Sequence, residues 1–228
     1  MKKIGFIVFL SALVIGSVFS LKSGFESFHI NFGGKSVRGS GNIGSETRNA
    51  ADFTKIQTGG AINVEVSAQK DFSVAVEGDD NLLQFIKTET NGDTLKIYTE
   101  GKINPKSRIT VKISMPAIDE AEVSGASNAV ISNVKSESLK LEAGGASKIT
   151  VDGTATNLES DASGASGIYA GSLNVENADV EASGASKIVV SANNELKADA
   201  SGASSIYYTG EPKNLVSKSS GASSIKKK

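Results

Sequence analysis

Cysteine is absent from all 228 residues, which excludes a disulfide framework and every thiolate metal site. Tryptophan is absent as well, and aromatics make up only 6% of the chain, so broad aromatic platforms are scarce. There is one histidine, His29, and it falls in a Gly/Ser-rich leader. A Ser-His-Asp triad needs a base within hydrogen-bond reach of its nucleophile, and no Gly-x-Ser-x-Gly elbow occurs. Serine hydrolysis is therefore not expected. Net charge is only −1, and no basic stripe is interleaved with aromatics, which argues against a nucleic-acid partner. No cofactor motif is present. No window sustains a 3.6-residue apolar period, so helices are not expected to build the core.

What is present is a phrase that returns six times. It reads Ser124-Gly125-Ala126-Ser127, Gly144-Gly145-Ala146-Ser147, Ser163-Gly164-Ala165-Ser166, Ser183-Gly184-Ala185-Ser186, Ser201-Gly202-Ala203-Ser204 and Ser220-Gly221-Ala222-Ser223. The second residues are spaced 20, 19, 20, 18 and 19 apart, the mark of a stacked repeat with one coil per period. Counting from that Gly, position +4 holds Ala129, Ile149, Ile168, Ile188, Ile206 and Ile225. Position −2 holds Val123, Ala143, Ala162, Ala182, Ala200 and Ser219; at −6 most coils carry Leu. Apolar and polar residues alternate on both sides of the Gly, as in strands with one buried face. A period of two nested in a period of about 19 predicts an all-β fold. It is a right-handed parallel β-helix, or β-solenoid, in which Gly supplies the positive φ of a corner.

Residues 1–20 carry Lys2 and Lys3, then an apolar run from Ile4 to Phe19, and read as a secretory signal peptide cleaved after Ser20. An uncleaved membrane anchor is the alternative, although the run is shorter than the ~20 residues that span a bilayer. No Cys follows it for a lipoprotein anchor. Residues 21–50 are Gly-, Ser- and Asn-rich and are expected to be a flexible leader. Residues 51–228 form one β-helix domain, irregular over 51–120 and regular over 121–228. In the irregular part Ile62, Val64 and Val66 alternate with polar residues, as do Ile109, Val111 and Ile113. Asn91-Gly92 signals a hairpin, and Asp79 to Lys87 a short helical turn. This section is expected to cap the first coil.

Phe53-Thr-Lys-Ile-Gln-Thr-Gly-Gly-Ala-Ile-Asn-Val-Glu-Val resembles the opening of a bacterial family, the "putative auto-transporter adhesin head domain" or GIN domain. The likeness continues through Val74-Ala-Val-Glu-Gly-Asp-Asp-Asn-Leu-Leu, Asp93-Thr-Leu-Lys-Ile-Tyr, Ile109-Thr-Val-Lys-Ile-Ser-Met-Pro and the Ser-Gly-Ala-Ser returns, over residues 50 to 225. The resemblance implies a right-handed parallel β-helix on an exported protein, periplasmic, outer-surface or extracellular. It brings no catalytic residues.

Two outward columns are candidate binding surfaces. Position −3 holds Glu122, Glu142, Asp161, Glu181 and Asp199, a row of carboxylates if the coils stack in register. Clustered carboxylates suit hard cations, but neighbours about 5 Å apart in water repel by only ~0.8 kcal/mol. Nearby lysines offset that, so a solvated face is the better reading and no metal is assigned. At +5, Tyr169 and Tyr207 are expected to face outward two coils apart with Val189 between them, a strip suited to a sugar or a protein. The expected function is a secreted or cell-surface, non-enzymatic adhesin-like or scaffolding module. Its partners would be a surface glycan or a protein, with no nucleic acid and membrane contact only through an uncleaved leader. The alternative is a polysaccharide-binding or polysaccharide-degrading β-helix enzyme. It would need acid/base carboxylates at fixed separation in a cleft, and Glu142 and Asp161 variants would test it as controls in a degradation assay; no catalytic residue is assigned.

Overall fold

A computed structural model describes residues 36–228; the expected signal peptide and His29 lie outside the described residues. The short strands at the N-terminal end are β1 (Val37–Arg38), β2 (Ile43–Arg48), β3 (Lys55–Thr58), β4 (Asn63–Ser67) and β5 (Ser73–Asp79). After a 3₁₀ turn at Asp80–Phe85 come β6 (Ile86–Asn91), β7 (Thr94–Thr99), β8 (Ile103–Asn104), β9 (Thr110–Ser114) and β10 (Glu120–Val123). The long wrapping strands are β11 (Asn128–Ala143), β12 (Lys148–Ala162), β13 (Gly167–Ala182) and β14 (Lys187–Ala200), followed by β15 (Ser205–Thr209), β16 (Asn214–Ser219) and β17 (Ser224–Lys227). They form a β-solenoid of about five turns.

Every pairing from β10 to β17 is parallel and joins equivalent positions of consecutive coils. Ala129, Ile149, Ile168, Ile188 and Ile206 stack in one buried column, and Leu139, Leu158, Ala178 and Leu196 in another. Each coil contributes only a few apolar side chains, so the core exists only because the coils share it.

The corner explains the repeated phrase residue by residue. Gly125, Gly145, Gly164, Gly184, Gly202 and Gly221 all have φ between 71° and 75°. A Cβ at any of them would stand 2.5–2.8 Å from the carbonyl oxygen of the preceding corner glycine. Only a glycine meets both conditions. The following Ala donates its N–H to that same carbonyl at 2.6–2.8 Å. The serine after it is buried, and its hydroxyl donates one coil back: Ser147 to the Val123 carbonyl, Ser166 to Ala143, Ser186 to Ala162 and Ser204 to Ala182, at 2.8–2.9 Å. These serines are structural clamps. Each is worth about 1 kcal/mol net.

The file of corners starts earlier than the phrase. Gly60 (φ 96°) lies under Gly125, and β3 and β4 pair in register with β10 and β11. The intervening 52 residues between β4 and β10 (68–119) are an insertion that builds the cap. Beneath β3 and β4 lie β7 and β9, both parallel. Outside these, β6 on β7 and β5 on β9 run antiparallel, and β2 adds antiparallel to β5. The hairpin signal at Asn91-Gly92 is the β6–β7 turn, and Asp79 to Lys87 contains the 3₁₀ turn.

Part of the segment expected as a leader, residues 37–48, instead forms β1 and β2. A buried carboxylate explains how this segment is held. Asp79 has no exposed surface, and it accepts the backbone N–H of Gly41 (2.9 Å), Lys106 (2.7 Å) and Ser107 (3.1 Å). Burial pushes its carboxyl up, but the Ser107, Lys106 and Gly41 donors together outweigh burial and hold it below the usual carboxylate range.

Two outcomes follow for stability. Gly164→Val, which drives a β-branched side chain into the Gly145 carbonyl, should lower the Tm by far more than Lys187→Ala at an exposed position; equal Tm values would refute the corner geometry. For Asp79 the folded pKa lies below the unfolded one. Its stabilisation is therefore present above the ordinary carboxylate pKa and lost as pH falls through the folded value. Asp79→Asn should lower the Tm at pH 7, and the gap to the parent should narrow at pH 3; thermal melts by circular dichroism at the two pH values read this directly.

Candidate functional site

On one side of the corner, β10 to β14 and β16 bring the −3 residues into single file. Gln57, Glu122, Glu142, Asp161, Glu181, Asp199 and Lys218 are register partners in that order. Period-two alternation turns them outward because the residues on either side, such as Leu141 and Ala143 around Glu142, are buried. The row is compensated at its edge: Gln57 Nε2 donates to Glu122 Oε2 at 2.6 Å, and Lys140 Nζ lies 2.8 Å from Glu142 and 3.4 Å from Glu159. That pairing holds the Lys140 ammonium above its ordinary range.

Two members of the file carry perturbed carboxyls. Partial burial pushes Asp161 up, and the Glu181 and Glu142 carboxylates on either side add to it. Burial does the same to Glu122, opposed by the Gln57 hydrogen bond and reinforced by Glu142 and Glu120. Among the described residues no group of three or more His, Cys, Asp or Glu side chains is placed to hold a metal ion.

Across the corner, Thr150, Tyr169, Val189, Tyr207 and Lys226 are partners in register. Tyr169 and Tyr207 are therefore two coils apart on one face with Val189 between them. The structure does not bring them to the carboxylates, which stand on the strands preceding the corner. Lys148 Nζ lies 4.8 Å from the centroid of the Tyr169 ring, and Lys187 Nζ lies 4.9 Å from that of Tyr207.

A third surface was not foreseen from the sequence. Just past the register breaks in β11 to β13, a shallow groove of about 450 Å³ crosses three coils. Ala155 and Val175 are buried at its floor, with Lys135, Glu137, Thr154, Thr156, Asn174 and Glu176 around them. Ser136, Ala155 and Val175 are register partners across the three coils that it crosses. Composition carries no signal of that.

The raised carboxyl of Asp161 fixes the sign of one outcome. A folded pKa above the unfolded one means that the native state binds the proton more tightly, so stability falls as pH rises from the unfolded pKa through the folded one. Asp161→Asn should thus stabilise the fold at pH 7, by less than about 1 kcal/mol after solvent screening, and raise the Tm there, with no gain at pH 3. A lower Tm for the variant at pH 7 would contradict the account.

Comparison with known proteins agrees with this geometry. An adhesin from Bacteroides fragilis NCTC 9343, described as putative, superposes with a TM-score of 0.67 at 20% identity, over 85% of this chain and 100% of that one. A similarly described adhesin from Parabacteroides merdae ATCC 43184 gives 0.56 at 17% identity, over 86% and 100%. A protein from Parabacteroides distasonis ATCC 8503 described as a "putative lipid binding protein" gives 0.54 at 20% identity, over 85% and 100%. At these identities the likeness is one of fold. No curated protein matches the sequence. A family model does, over residues 52–212, well over half of the chain. The chain belongs to the family described as "Putative auto-transporter adhesin, head GIN domain".

Proposed function

We propose that this chain is an exported, non-enzymatic binding module that holds a surface glycan or a protein on the outward side-chain columns of its solenoid. The observation that carries this reading is the register itself. Equivalent residues recur on one face at a fixed rise, as at Glu142–Asp161–Glu181 and at Tyr169–Val189–Tyr207. Such a face presents the same chemistry repeatedly along a line, which suits an extended partner and multivalent attachment. Export is supported by the basic-then-apolar pattern of residues 1–20 and by the adhesin family.

Glycan cleavage is the competing reading, favoured by the raised Asp161 carboxyl beside Glu142 and Glu181. Against it, these carboxylates stand in a row on a sheet face and do not line the groove, whereas glycan cleavage needs its acid and base set across a scissile bond. The test pairs two measurements on the purified chain. Beads coated with it should adhere to bacterial or host cells in a saturable, dose-dependent way. A panel of polysaccharides incubated with it should release no reducing ends. Release that disappears in Glu142→Gln and Asp161→Asn would replace the binding reading with the enzymatic one.

A further inference from the structure

The Tyr-bearing face is more ordered than a scatter of strand aromatics. Lys148, Gly167, Lys187 and Ser205 are register partners at the position two residues before Thr150, Tyr169, Val189 and Tyr207. The two columns therefore alternate together. Where the first carries Lys the second carries Thr or Val; where the first carries Gly or Ser the second carries Tyr. Each tyrosine thus lies diagonally beside the lysine of the coil before it, which is how both cation–π contacts arise.

Gly167 shows that the ring is laid down deliberately. Its backbone needs no glycine, yet a Cβ there would stand 2.8 Å from Cε2 of Tyr169. The ring lies along the strand over the missing side chain, and any larger residue would lift it. The two lysines beside the rings also differ from those across the corner. Lys140 and Lys197 are paired with glutamates, whereas neither Lys148 nor Lys187 has a carboxylate within ion-pair distance among the described residues. This face therefore holds fixed, uncompensated ammonium groups against tyrosine rings, repeating every two coils, about 9.6 Å.

We infer that the Lys148–Tyr169 and Lys187–Tyr207 pairs form a ladder of equivalent subsites for a linear acidic polysaccharide carrying one anionic group per disaccharide. The inference rests on the binding-module reading and names the ligand class and the face. Charge complementarity requires a polyanion. The two-coil rise sets the distance between its charges, and an extended chain of pyranose rings advances by about one ring per coil. The tyrosine rings meet the apolar C–H faces of the sugars while the ammonium groups pair with uronate or sulfate. Nucleic acid fits poorly, because its phosphates follow one another at about 3.4 Å along each strand and would leave most charges unpaired here.

The test uses the purified chain and oligosaccharides of hyaluronan, which bear one carboxylate per disaccharide, in a titration at low and physiological salt. Binding is expected, weakening as salt rises. Lys187→Ala and Tyr207→Ala should each weaken it tenfold or more with the Tm retained, whereas Lys197→Ala across the corner should leave it unchanged. Gly167→Leu should weaken it as Tyr169→Ala does. Equal affinity for neutral dextran, or for polyglutamate, would overturn the assignment, as would unchanged affinity in the Lys187 and Tyr207 variants. A chain that adheres to cells but ignores hyaluronan overturns this ladder alone; one that does neither overturns the binding reading with it.

Discussion

Backbone meets backbone closely at every corner, where each glycine sits against the carbonyl of the one before. A single added methyl group would stand within 2.8 Å of that oxygen, so the corner tolerates no side chain. The neighbouring residues then fasten what the glycine permits. The alanine N–H reaches the glycine carbonyl, and the buried serine hydroxyl reaches the carbonyl two residues before it. These two hydrogen bonds, recurring at a fixed point of successive coils, leave little freedom to slip register. A slip of one residue would turn the isoleucine column to solvent and the carboxylates inward.

Register has a functional consequence. Once coils stack position on position, any outward residue is repeated as a column, and the face becomes a ruler with about 4.8 Å divisions. The two sides of the corner are written differently. One bears acidic residues offset by paired lysines, the other unpaired lysines against tyrosines. At the N-terminal end the ladder is stopped by antiparallel strands, and the buried Asp79 ties the segment before β3 to the loop before β9.

The regular half was legible because its constraints are local and repeated. The six Ser-Gly-Ala-Ser returns, the Ile column and the outward −3 and +5 positions all follow from counting residues, and the Asn91-Gly92 hairpin follows from turn chemistry. The earliest corner was not legible. Thr58-Gly59-Gly60-Ala61 carries the phrase in altered form, and 65 residues separate Gly60 from the next corner, Gly125. The strands at 37–48 were missed for a related reason. Their partners lie more than 25 residues away, in β5 and β8, and their polar composition shows no alternation. At the candidate site, the tyrosines could be placed on one face from spacing alone. Their contacts with Lys148 and Lys187, and the reason for glycine at 167, depend on diagonal neighbours in adjacent coils, and a single sequence does not display those.

The stacking itself is open to direct measurement, and the lack of native cysteine makes labelling clean. The alanines after the corner glycines are exposed, so spin labels can be introduced pairwise at Ala126 with Ala185, Ala203 or Ala222. Dipolar electron spin resonance then reads separations across three, four and five coils. Backbone separations rising by about 4.8 Å per coil, to about 24 Å for the last pair, are predicted. Distances that do not grow linearly with coil number would contradict the account at its foundation.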